Sequence, residues 1–153
     1  MSPEEHALSL GKIVSNFHSL ETHLRLALFK QSPNQDLTPH FDFDTVQVGT
    51  KLSTNEFTDY SDLRTLIVCF NRNQRNSGRR EVDVSLVELR DAIAHGRILA
   101  KESRYPIRLL KFSKPDRNTG QVTVAFNEVL SIRWFKTQIV RTHAAIQLVA
   151  SDT

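Results

Sequence analysis

The sequence predicts a mostly α-helical protein, a four-helix bundle with a β-hairpin inserted between the third and fourth major helices. Three observations lead there. Apolar residues recur at three- and four-residue steps through long stretches near both ends of the chain. Two shorter stretches in the middle repeat that spacing. After Pro106 the periodicity gives way to strand-like runs parted by turn formers. At 153 residues, 39% of them hydrophobic and 24% charged, the chain is expected to form a single domain over 1–153 with one core. It contains no internal repeat.

The first helix is expected over about residues 3–29, where Leu10, Ile13, Val14, Phe17, Leu20, Leu24 and Leu28 form one stripe. Ser2 and Pro3 supply its N-cap and first turn. Residues 31–58 hold two prolines, Gly49 and the alternating FDFD, and read as a long irregular connection. FDFD lacks the ligand run and glycine of a calcium loop and is expected to be turn or edge structure. A second helix is expected over about 59–71 with Leu63, Leu66, Ile67 and Phe70 inward, followed by the polar NRNQRNSGRRE as a loop.

The third helix, about 84–95, sets Leu86, Leu89 and Ile93 at helical spacing, and Gly96 is placed to turn the backbone away at its end. IRLLKF and QVTVAF flank SKPDRNTG as the strands and turn of the hairpin. The fourth helix, about 131–149, is expected to bury Ile132, Phe135, Ile139, Ile146 and Val149. Its opposite stripe of Trp134, Gln138, Arg141, Ala145 and Leu148 is expected to lie under the hairpin or a second chain.

Several function classes are excluded by what the sequence lacks. There is no G-x-x-x-x-G-K-[ST], no G-x-G-x-x-G and no G-x-S-x-G, so no nucleotide cofactor and no hydrolase elbow is expected. His18 and His23 are five apart rather than four, so no metal site is expected. The single cysteine, Cys69, lies in LIVCF and is expected to be a small buried hydrophobe in a reducing cytoplasm. MSPEEHALSL has neither the basic nor the apolar part of an export signal, and no run is long enough to span a membrane. The formal net charge of +3 permits a phosphate-bearing partner without requiring one.

The chemistry concentrates in VELRDAIAHGRI, residues 87–98. On a wheel of about 100° per residue, Leu86, Leu89 and Ile93 share one side, while Val87, Arg90, Asp91, Ala94 and His95 span about 140° on another. A cation, a carboxylate and an imidazole among small apolar residues suit contact with another chain or element better than contact with solvent. His95 falls in the last turn, where the helix dipole favours a cation. Arg90 offers a planar fork that matches phosphate, and Asp91 can hold either Arg90 or His95. Taken alone, the trio also reads as an ordinary helix end with a capping histidine and a local ion pair.

LRDAIAHG, with Arg90 and His95 in R-x4-H spacing near the end of the third helix, resembles the HEPN superfamily of ribonucleases, as does FHSLETHLRLALF in the first helix. The resemblance implies a HEPN-like domain that dimerises with itself through the third helix, so that two motifs face each other across a composite site. It implies cleavage of RNA without a metal, the 2′-hydroxyl attacking phosphorus to leave a 2′,3′-cyclic phosphate and a 5′-hydroxyl. It assigns His95 to proton transfer, Arg90 to the charge on the phosphoryl oxygens and Asp91 to orienting them. A toxin or defence role with an antitoxin partner follows from the same resemblance. A catalytically silent module that binds RNA or protein, or a purely structural dimerisation domain, is the alternative.

Glu21 lies within the apolar stripe of the first helix and, if buried, needs a partner, either Arg90, as an anchor for the site, or Arg25 or another nearby cation. Arg72, Arg75, Arg79 and Arg80 precede the motif with no acid until Glu81, and Arg97 follows it. These five are candidates for contact with an RNA backbone, although no aromatic stacking platform adjoins the loop.

Overall fold

The computed structural model describes residues 1–32, 46–101 and 104–152. The elements are α1 (Pro3–Gln31), α2 (Leu63–Asn76), α3 (Leu86–His95), β1 (Arg97–Lys101), β2 (Arg104–Phe112), β3 (Val124–Val129) and α4 (Ile132–Ala150). Most of the described chain is helical, and the strands form one antiparallel sheet in the order β1-β2-β3. FDFD and the rest of residues 33–45 lie outside the described residues. Among the described residues no helix is long and apolar enough to cross a membrane.

α1 starts at a capping box: the Ser2 hydroxyl accepts from the Glu5 N–H at 3.1 Å, and the Ser2 N–H donates to the Glu5 carboxylate at 2.7 Å. Ile13, Phe17, Leu20, Leu24 and Ala27 then repeat at helical spacing and are buried. α4 is capped by Ser131, whose hydroxyl accepts from the Trp134 N–H, and it packs along α1. Its buried line is Phe135, Gln138, Thr142, Ala145 and Val149, which runs between the two expected stripes. The correction has a specific cause. Thr142 is fully buried because its hydroxyl donates to the Gln138 carbonyl at 2.9 Å and accepts from the Asn16 amide at 2.8 Å, so polar residues join α4 to α1. Ile132, expected inside, is 46% exposed.

α2 begins later and ends later than its apolar spacing predicts. Asp62 caps it by accepting from the Thr65 N–H at 2.8 Å, and the helix continues through NRNQRN, which reads as loop on polarity alone. Asn71 and Gln74 stay in phase with Leu63, Ile67 and Phe70 and are buried, each with a partner. The Asn71 amide donates to the Val82 carbonyl and its oxygen accepts from the Val82 N–H, both at 2.8 Å. Gln74 donates to the Asp152 carboxylate at the far end of the chain. Gly78, at φ 64, then reverses the backbone so that the Arg79 N–H reaches the Gln74 carbonyl at 2.9 Å. The same helical phase leaves Cys69 at the margin of the core, partly exposed rather than buried.

The sheet has a strand that the hairpin reading lacks. Gly96 is extended, at φ −74 and ψ 170, so the chain passes from α3 straight into β1, which pairs with β2 from Arg97 opposite Leu110 to Ala100 opposite Ile107. β3 covers 124–129 rather than 121–126. The connecting loop keeps residues 121–123 for itself, through the Asp116 N–H to the Gln121 carbonyl and the Ser113 N–H to the Thr123 carbonyl, both at 2.8 Å. Ile107 and Leu109 turn one face of the sheet into the core and onto α3.

Two outcomes test this packing. Asn71→Ala leaves both polar groups of buried Val82 without partners, at about 1–3 kcal/mol each, so urea unfolding should show a loss of about 2–6 kcal/mol. His6, buried edge-on against Phe135 at 5.3 Å between ring centroids, has its pKa pushed below 6.5 by burial. Protonation therefore favours the unfolded chain. Stability should be full above about pH 6.5 and fall as the pH drops below it, and His6→Leu should flatten that limb in urea midpoints measured between about pH 8 and about pH 5.

Candidate functional site

α3 is held at its start from two sides. Asn71 grips Val82 from within, while outside Arg141 of α4 donates to the Asp83 carboxylate at 2.8 Å and to the Ser85 hydroxyl at 2.7 Å. Hydrogen bonds from Ser85 and then from Arg141 hold the Asp83 carboxyl below its ordinary pKa. From there Leu86, Val87, Leu89 and Ala92 enter the core. Val87, expected on the outward side, is 4% exposed and joins the core with Leu86, Leu89 and Ala92. Of the expected outward side Arg90, Asp91, Ala94 and His95 remain at least partly exposed, Glu88 is exposed as well, and Ile93, expected inward, is only partly buried.

Side chains from three elements meet around Arg90. Its Nη1 is 3.4 Å from Asp91 Oδ1, and its Nε is 4.0 Å from Glu21 Oε1 of α1. Lys111 of β2 reaches the other Asp91 oxygen at 3.4 Å. The alternative partner for Glu21, Arg25, is occupied elsewhere: it lies 2.5 Å from Asp59 and donates to the Ser61 carbonyl at 2.6 Å. The cluster is therefore two cations interleaved with two carboxylates, all partly exposed. Lys111 is the member that sequence reasoning missed. Its signal was period two, because Ile107, Leu109 and Lys111 share a face and a lysine on a buried face needs a carboxylate.

His95 is exposed in the last turn, and among the described residues no hydrogen bond or ion pair engages its ring. An open imidazole can donate, accept or move a proton for a ligand or a second chain. Gly96 ends the helix as expected, in an extended conformation, and close contact adds a second requirement for glycine. A Cβ there would stand 2.3 Å from the Ala92 carbonyl oxygen, 2.6 Å from Leu109 Cδ1 and 3.1 Å from the Leu110 carbonyl oxygen. The residue is glycine because the helix end and β2 touch its backbone.

The arginine candidates separate. Arg72 and Arg75 lie on α2 rather than in a loop, and Arg75 forms a two-point pair with Glu81 at 3.1 and 2.7 Å. Arg79 pairs with Asp152 at 3.0 Å. Arg72 and Arg80 are exposed, with no carboxylate partner among the described residues. A surface cavity of about 650 Å³ is lined by Arg79, Arg80, Gln74, Gln147 and Asp152, and the α3 motif takes no part in it. Arg97 stands on β1 with its guanidinium over the Phe112 ring. Among the described residues no three of His, Cys, Asp and Glu gather as metal ligands would.

No protein-family model matches the chain, and neither a curated protein nor a solved structure does. The geometry itself makes a prediction about the helix end. Gly96→Ala should cost at least about 1–3 kcal/mol in thermal or urea unfolding, because backbone atoms rather than a flexible side chain must give way.

Proposed function

We propose that the protein is a metal-independent endoribonuclease of HEPN type, acting as a homodimer and serving as a toxin or defence effector in the cytoplasm. In this reading the four helices are the HEPN bundle, with the three-stranded sheet inserted between α3 and α4. The observation that carries it is an unengaged, exposed His95 at the end of the helix whose Arg90 is loosely held between Asp91 and Glu21. His95 takes the proton of the 2′-hydroxyl or returns one to the leaving oxygen, and the motif of the second subunit supplies the complementary group. Arg90 stabilises negative charge on the phosphoryl oxygens, with Asp91 and Glu21 orienting its fork. Lys111, fixed on Asp91, keeps that carboxylate in place.

A second reading has its own support. Arg90 already faces two carboxylates, an arrangement that also serves a catalytically silent module binding RNA, a protein such as an antitoxin, or a second copy.

The test is cleavage of varied RNAs by the purified protein in EDTA. Arg90→Ala and His95→Ala should each reduce the rate on the order of a hundredfold or more, with 2′,3′-cyclic phosphate ends on the products of the parent protein. Cleavage untouched by both substitutions would remove the proposed site. A stable monomer in solution, or no cleavage of any RNA, favours the silent module.

A further inference from the structure

The alternation of side chains gives the sheet two faces of different chemistry. One carries Ile107, Leu109 and Lys111 and lies against α3. The other carries Arg97, Leu99, Arg108, Leu110, Phe112 and Asn127, contributed by all three strands. Arg97, Arg108 and Asn127 are exposed, Leu99 is 50% exposed, and Leu110 and Phe112 are half-buried. The Arg97 guanidinium lies over the Phe112 ring, 5.2 Å from its centroid, and Arg108 donates to the Asn127 amide oxygen.

Like Arg72 and Arg80, the arginines of this outer face have no carboxylate partner among the described residues. Arg25, Arg75, Arg79, Arg90 and Arg141 are each paired with a carboxylate. Arg97 and Arg108 meet a ring and an amide instead, so their charge is not neutralised among the described residues. The one acidic residue of the three strands, Glu128, is opposite Leu109 and belongs to the other face.

We infer that the outer face of the sheet is a platform for single-stranded RNA. Two uncompensated arginines attract phosphates. A guanidinium stacked on an aromatic ring, with leucines beside it, presents flat polarisable surface on which unpaired bases stack, and the amide can bond a base edge. A duplex hides its base faces and cannot use such a surface. Arg97 follows His95 by two residues, at most about 7 Å of chain, so an RNA on the platform would begin beside the proposed catalytic histidine. The inference rests on the reading of RNA as the ligand, but not on cleavage.

The experiment is fluorescence anisotropy of a short labelled single-stranded RNA at low salt, in a His95→Ala background so that the probe survives. Phe112→Leu and Arg97→Gln should each weaken binding about tenfold. Arg97→Gln combined with Arg108→Gln should lower the slope of log affinity against log salt by about 0.7 for each arginine. The corresponding duplex should bind more weakly than the single strand. Circular dichroism and melting establish that each variant is folded.

Variants that bind RNA like their parent overturn the platform, and so does a parent that binds no RNA. If the substitutions change the oligomeric state and leave RNA affinity alone, the face is a protein interface and the platform is again overturned. Cleavage by the parent with sheet-independent affinity sinks the platform and leaves the ribonuclease standing. Sheet-dependent binding without cleavage does the reverse.

Discussion

The position of α3, and with it everything on its surface, depends on one side chain's two hydrogen bonds. Between the end of α2 and the start of α3 the chain is almost wholly polar, and Val82 is the residue in that stretch that enters the core, at 3% exposure. Burying it also buries an N–H and a C=O, a prohibitive combination unless both are satisfied. Asn71 satisfies both from the neighbouring helix, as a strand would. Val82 is thereby fixed against α2, Leu86 and Val87 follow it inward, and the phase of the helix delivers Arg90, Asp91, Ala94 and His95 to the outside. Arg141 closes the solvent side of the same turn, so the start of α3 is pinned from core and surface at once.

Downstream of that anchor, distances separate the tight ion pairs elsewhere in the molecule from the looser contacts at the site. Arg25 and Asp59 at 2.5 Å, Arg75 and Glu81 at 2.7 Å, and Arg141 and Asp83 at 2.8 Å are all at charge-assisted hydrogen-bond length. Arg90 is 3.4 Å from one carboxylate and 4.0 Å from another, both beyond that length. Such contacts aim the guanidinium without binding it tightly. In water-exposed surroundings each is worth about 1 kcal/mol or less, which an incoming phosphate with better geometry can replace. The same looseness that makes Arg90 a poor structural residue makes it a serviceable one for an anionic ligand.

What could be read in advance follows from how local the determining physics is. The first and last helices were legible because their apolar spacing, and for the first helix Ser2 and Pro3, lie within the segments themselves. The end of α2 was not. Asn71 and Gln74 look like loop residues until Val82 and Asp152, far along the chain, turn them into core. Gln138 and Thr142 misplace the inner line of α4 for the same reason, since Asn16 on α1 makes Thr142 acceptable inside. β1 escaped because Gly96 reads as a stop for the helix, and nothing in RILAK alone says that β2 is waiting beside it. At the site, Arg90, Asp91 and His95 stood out by residue type. Lys111 required knowing that β2 turns its odd-numbered residues toward α3.

The junction at Gly96 ties these levels together. The helix end and the sheet approach so closely there that even a methyl group would overlap the Ala92 carbonyl. That contact leaves no slack between His95, the last residue of α3, and Arg97, the first of β1. Alternation then sends Arg97 to the outer face of the sheet, while Lys111 on the inner face holds Asp91. The sheet is consequently more than an elaboration before the last helix. It braces the α3 cluster from beneath with one face and exposes uncompensated arginines with the other, and the single glycine between helix and strand keeps the two faces in register with His95. A longer or looser link would leave the histidine and the arginine-bearing face free to move independently, and a ligand spanning both would have to order them on binding.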